Sequence, residues 1–355
     1  MLFSTPSSSK FSWLAGALLV TMAWQAHAAE RNAQRYTPGL GGSDMTNMLA
    51  PGWYGQVAMI HYHATKLKGA DGDSAVQRGE ANTSFGPISY TAPITHFRAD
   101  AYVLLPRATY VSTKKIMGGH VGFTMMLPLV ERQTSVMGSA FVGQSVPAPL
   151  ATAVIAGVNQ KIAAKSGSRT GVGDLEMAPL LHWEIGDHQT VTLTPTVVFP
   201  TGAFDKTNSA NPGFGRFYTF RPSVQYGFIG DGWDVGARAV LSFNTRNKDT
   251  MYRSGNMFNL DVAAMKFVTE DVRLGVQGYA VHQLSDDSSR DATDQAIINA
   301  AEGNKMRAYA LGPAVAWIKN GGEMLVEGKI LQEFGARNRA EGATYMLTVS
   351  KPFGL

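Results

Sequence analysis

The sequence predicts an all-β protein: a closed, antiparallel, up-and-down transmembrane β-barrel of about 12 strands. Three observations predict it. Long stretches alternate polar and apolar side chains, short and long connections alternate between them, and beyond the first 28 residues no apolar run approaches the length of a spanning helix. The alternation is clearest from Gly173 to Gly202. The odd positions are Leu175, Met177, Pro179, Leu181, Trp183 and Ile185; the even ones are Asp174, Glu176, Ala178, Leu180, His182 and Glu184. Period two over this length is a strand with one apolar and one polar face. After Gly186-Asp187 it resumes, with Thr190, Thr192, Thr194 and Thr196 opposite Val191, Leu193, Val197 and Phe199. Such strands suit a tilted crossing of a bilayer, which takes about 9–11 residues.

The chain opens with Lys10, the only charge in its first 28 residues, then an apolar run from Phe11 to Trp24 and the small-x-small triplet Ala26-His27-Ala28. This predicts a signal peptide over 1–28, since a membrane anchor needs about 20 apolar residues. Residues 29–355 then form one barrel domain. Twelve strands are expected at 54–65, 96–112, 118–130, 173–186, 188–200, 216–229, 232–246, 256–268, 271–284, 305–318, 322–335 and 341–353. Every second connection, beginning with 2–3, is short, and those between are longer, up to the stretch 131–172. Short periplasmic turns and long outside loops give a barrel this signature, and both ends fall in the periplasm.

The faces carry the functional expectations. Charge facing lipid costs roughly 2–4 kcal/mol for Arg at the midplane, so the polar faces must turn inward. The candidate lumen-lining residues are Asp174, Glu176, His182, Glu184, Arg221, Asp234, Arg238, Asp261, Arg273 and Gln277. They either line a conducting pore of mixed charge or pair across a narrow, filled interior. Tyr54, Trp183, Phe199, Trp233, Trp317, Phe334, Tyr345 and Phe353 are candidates for the interfacial aromatic girdles. Pro179, Pro195 and Pro222 fall inside three successive strands at similar depth, and Pro313 inside a fourth. Proline removes a ladder donor, so the first three mark either bulges or a kinked wall with a lateral opening. Within 131–172, Val154, Ile155, Val158 and Ile162 predict a short amphipathic helix from about Ala151 to Ala164, acting as a plug or a cap.

Other chemistry has less support. There are no cysteines, which excludes thiolate chemistry and a disulfide framework, and a formal net charge of +4 is too mild to argue for nucleic acid. His61 and His63 share a strand face and would ligate a metal only with further donors; a polar pair facing the lumen is the default, so no metal is assigned. Asp71, Asp73, Asp286, Asp287, Asp291 and Asp294 fall in outside loops, by default as solvated charge. No nucleophile, metalloprotease or phosphate-loop motif is present. The expectation is a non-enzyme without cofactor; an outer-membrane lipase or acyltransferase, or a structural or adhesin barrel, is the alternative.

Several stretches together resemble a known family. They are PGWYGQVAMIHYHA from Pro51, GVGDLEMAPLLHW from Gly171, PTGAFD at 200–205, NTRNKDTMYRSGN at 244–256, GYAVHQLSDD at 278–287, ALGPAVAW at 310–317 and EFGARNRAEG at 333–342. In order and spacing they resemble the phenol degradation protein meta (MetA-pathway) family of outer-membrane β-barrel transporters. The resemblance implies an outer-membrane channel for passive uptake of small hydrophobic or aromatic compounds, linked to a degradation pathway, and brings no catalytic residues. The expected partners are outer-membrane lipid, the solute, and the barrel-assembly machinery, which would read the amphipathic final strand (Tyr345, Leu347, Val349, Phe353).

Overall fold

In the computed structural model, residues 34–319 and 322–353 are described, so the expected signal peptide lies outside the described residues. Twelve strands form one ring: β1 (Gly52–Lys68), β2 (Gly86–Ile116), β3 (Gly119–Met126), β4 (Glu176–Ile185), β5 (Gln189–Val198), β6 (Thr219–Gly230), β7 (Trp233–Asn244), β8 (Met257–Phe267), β9 (Val272–Gln283), β10 (Arg307–Lys319), β11 (Met324–Arg337) and β12 (Arg339–Phe353). Sequence neighbours pair antiparallel. The ring closes because β1 pairs on both edges, Trp53 standing opposite Phe353 of β12 and Tyr110 of β2. Closure leaves no bare edge in the wall. At the β6–β7 turn, Asp231 and Gly232 both take positive φ (51° and 77°), the conformation that matches the right-handed twist of a tight hairpin.

The apolar faces turn outward. Leu193, Val224, Tyr226, Val235, Val262, Val276, Val315 and Leu347 are all exposed on the isolated chain, a belt that requires lipid rather than water. Trp53, Trp183, Trp233, Trp317 and Phe353 lie near its inner end. Tyr54 departs from the girdle expectation: alternation along β1 turns it inward, where its hydroxyl donates to the Ala50 carbonyl (2.6 Å).

Three connections differ from the sequence reading. β11 and β12 are joined by Asn338 alone, in the left-handed region (φ 50°), because both strands run further than their periodicity showed. The stretches after β1 and β3 build an outer extension of the wall. Strand Val76–Thr83 pairs with the outer half of β2, Leu129–Gly138 continues beyond β3 along β2, and Gly167–Val172 pairs with it in turn. Helix α1 (Ala148–Ala163) buries Val154, Val158 and Ile162 against Ala81, Tyr90, Ala92 and Val136 of this extension. Its apolar stripe is therefore used outside the ring. The ring interior is filled instead by residues 34–50, with a short 3-10 turn at Ser43–Thr46.

Candidate functional site: the filled interior

The segment 34–50 runs down the interior from the outer mouth to the start of β1, and the wall's charged residues hold it. Asp261 accepts from the Tyr36 hydroxyl (2.5 Å) and from the amides of Gly39 (2.8 Å) and Gly41 (3.0 Å). Glu327 accepts from the Ser43 amide (2.8 Å), and the Lys329 ammonium donates to the Gly41 carbonyl (3.0 Å). Asp44 ion-pairs with Arg107 (3.0 Å) and Arg238 (3.6 Å), while Arg35 reaches Asp174 (2.9 Å). Such charge-assisted bonds are the strong ones, and they sit where removing one partner strands the other. The seat also needs bare backbone. Gly227 of β6 stands opposite Gly236 of β7, and a Cβ on either would lie 2.5 Å and 2.9 Å, respectively, from Met45 atoms.

All the lumen candidates except Glu184 are buried inside the ring. Glu184 is exposed at the inner rim, opposite Thr190 and next to the β4–β5 turn. The buried ones are paired: Arg221 with Glu176, Arg273 with Asp234, and Gln277 with Glu327 (2.8 Å) and Lys329 (2.8 Å). Of the two arrangements open in the sequence, the described residues adopt the filled one. His182 accepts a weak bond from the Leu49 amide (3.3 Å) and shares a hydrogen with Thr192 (2.8 Å); among the described residues no carboxylate is bonded to it. Sequence reasoning missed Arg35, Asp44, Arg107, Glu327, Lys329, Glu333 and Arg339. Arg107, Glu327, Lys329 and Glu333 share the inward parity of their strands, a signal that was available; Arg339 falls on the outward parity of β12, and the two plug residues carry no periodicity.

Among the described residues, hollows remain within the ring. The outer one, about 330 Å³, is lined by Tyr36, Tyr62, Phe214, Tyr279, Arg132 and Arg339 among others. Glu333 braces it, accepting from Tyr62 (2.8 Å), Tyr279 (2.7 Å) and Arg339 (2.8 Å). A hollow of about 60 Å³ shares Tyr36, Arg132 and Phe214 with it and reaches Glu176 and Val198. An inner cavity of about 120 Å³ lies behind Leu180, Thr194, Thr196 and Ser223.

The proline positions fall beside these hollows. Pro195 pairs directly with Pro222. The β4–β5 register, Met177 with Val197 and Leu181 with Leu193, sets Pro179 opposite Pro195 and omits the rungs between. The β6–β7 ladder likewise skips from Phe220 to Ser223. Each proline lacks the amide the ladder needs.

His61 and His63 are a correction. On β1 the inward side chains are Gln56, Ala58, Ile60 and Tyr62, so both histidines face outward with Met59, not into the lumen. The outside acids are mostly structural acceptors. Asp291 caps helix α2 (Ala292–Ala300), and Asp287 accepts from Gly255 (2.7 Å), Gln283 (2.7 Å), Asn304 (2.8 Å) and Tyr252. Burial pushes the Asp287 carboxyl above its ordinary value, against those donors.

A ring of this size, greasy outside and charged inside, is a twelve-stranded outer-membrane-type barrel. The chain belongs to the family described as "Putative MetA-pathway of phenol degradation", whose model matches residues 67–349. It is similar to the crystal structure of an outer membrane channel from Pseudomonas putida F1, at 13% identity and a TM-score of 0.63 over 90% of this chain and 100% of that one. The CymD monoaromatic hydrocarbon channel (8%, TM-score 0.39, 93% and 98% covered) and the Ralstonia pickettii toluene transporter TbuX (10%, 0.36, 93% and 97%) are looser likenesses that carry no argument. No curated protein matches the chain.

Proposed function

We propose that the protein is an outer-membrane channel for passive uptake of small hydrophobic or aromatic compounds that feed a degradation pathway. The observation that carries this reading is the outer cavity. At about 330 Å³ it has the size of a small-molecule pocket, and aromatic rings and two guanidinium groups line it. Family membership supports the solute class. With residues 34–50 closing the axial way, the route proposed for an apolar solute runs sideways, through the missing rungs between β4 and β5 at Pro179 and Pro195, into the membrane. The nine buried lumen positions from Asp174 to Gln277 would form a polar frame that holds the plug against the wall, with Glu184 at the inner rim.

A barrel with only a structural role is the second reading, favoured by how firmly the same segment is bonded to the wall. Liposome swelling with purified protein separates them. Benzoate-type acids should enter faster than sugars of similar size, and replacing Pro179 and Pro195 together by valine should slow the aromatic solutes. Equal rates would mean a general pore; no flux of either solute would leave the structural reading.

A further inference from the structure

On the outer face of the wall, the two outward histidines meet a carboxylate that the sequence keeps 37 residues away from the nearer of them. His63 stands directly opposite Asp100 in the β1–β2 register, and His61 opposite Tyr102. His63 Nδ1 lies 2.7 Å and His61 Nε2 3.3 Å from the same oxygen, Asp100 Oδ1. The three donor atoms fall within 4.8 Å of one another. From these we propose that His61, His63 and Asp100 form a binding site for a divalent transition-metal ion of the zinc and copper class.

The arrangement around the donors fits that chemistry. Imidazole nitrogen with one carboxylate oxygen suits zinc, copper or nickel, whereas magnesium and calcium prefer oxygen ligands alone. Donors bound at about 2.0–2.2 Å in a tetrahedron must sit a little over 3 Å apart; His61 already stands at that distance from Asp100, and His63 would draw back slightly from it. Second contacts orient two of the three ligands, as at established metal sites. Arg98 Nε donates to Asp100 Oδ2 (2.7 Å), turning Oδ1 toward the histidines and favouring the ionised carboxylate. The His61 ring stacks between Tyr102 (4.2 Å between centroids, 5° between planes) and Tyr345 (5.8 Å, 23°), which fixes its plane.

Access is open. The histidine side chains are about one-third exposed while Asp100 is buried beneath them. Asp100 lines a polar hollow with His96, Arg98, Gln133 and Thr134, and His61 lines an apolar groove with Tyr102 and Tyr345, so the donors sit where polar and apolar surfaces meet. Tyr102, His61 and Tyr345 form one row across β2, β1 and β12, at the outer end of the apolar belt. The ion would staple β1 to β2 at the outer membrane surface.

The test is isothermal titration of the untagged, folded full-length barrel with zinc and copper(II) salts, and with magnesium as the control. One equivalent of zinc or copper should bind and raise the thermal unfolding temperature, while magnesium should do neither. His63→Gln, which keeps a hydrogen bond to Asp100, and Asp100→Asn should each weaken the ion by at least about tenfold. Folding of each variant is checked by its heat-modifiable gel mobility. Absence of binding in the folded wild type, or equal affinity in folded His63→Gln, would overturn the site and leave a hydrogen-bonded His–Asp–His clamp; neither result bears on solute uptake.

Discussion

Asp261 shows how a single residue can determine whether the interior is open. It is fully buried on β8, and its two oxygens hold three donors of the plug, at Tyr36, Gly39 and Gly41. Hydrogen bonds to charged groups contribute about 1.5–3 kcal/mol each. Asp261→Ala therefore removes several kcal/mol of docking and leaves the same donors buried without an acceptor. Single-channel recording in planar bilayers should show a higher, noisier conductance than wild type; an unchanged trace would mean that Glu327 and Lys329 suffice to seat the segment. Asp261 itself was legible in the sequence through alternation. Its partners were not, because nothing periodic marks Gln34 to Leu49 as a chain lying inside a ring.

Among the elements, helix α1, expected as a plug or a cap, packs outside the ring, and residues 34–50, for which the sequence suggests no role, occupy the interior. The 16-residue helix has an apolar stripe of the kind that fills a lumen, yet Val154, Val158 and Ile162 are consumed by the outer extension of β2. The plug has almost no regular structure, and its order comes from bonds to the wall. Deleting residues 34–46 should therefore raise conductance, while deleting 148–163 should leave it unchanged and expose the apolar face of the extension. The opposite pattern would return the plug role to the helix. The strands followed their periodicity closely, since each apolar side chain had to find lipid. The outer ends did not: β2 runs through 31 residues, to Gly86 rather than 96, because Val76–Thr83 supplies a pairing partner that a one-strand pattern does not reveal.

For the whole molecule, the governing fact is inversion: apolar surface outside, ionised groups inside. Val276 lies on the outward face of β9 within the apolar belt, half-exposed on the isolated chain. Val276→Arg should destabilise the barrel by roughly 2–4 kcal/mol, the depth-dependent cost of arginine facing lipid. Urea unfolding in lipid vesicles measures it, and a neutral result would place that face away from hydrocarbon.

The sequence by itself determined the class of architecture, the number of wall strands, the inward parity of Asp174, Arg221, Arg238, Asp261 and Gln277, and the row of prolines, because a strand's two faces and its missing donors are local properties. Tertiary structure decided what depends on register between strands. Trp53, three places before Gln56, and Val57, beside it, share the histidines' parity, yet the polar character of His61 and His63 argued for the lumen; only pairing with β2 shows them outside, beside Asp100. The same holds for the plug, whose place inside the ring follows from Asp261, Glu327, Lys329 and the facing glycines Gly227 and Gly236. Those residues converge only after β6 to β11 have curled into a closed wall.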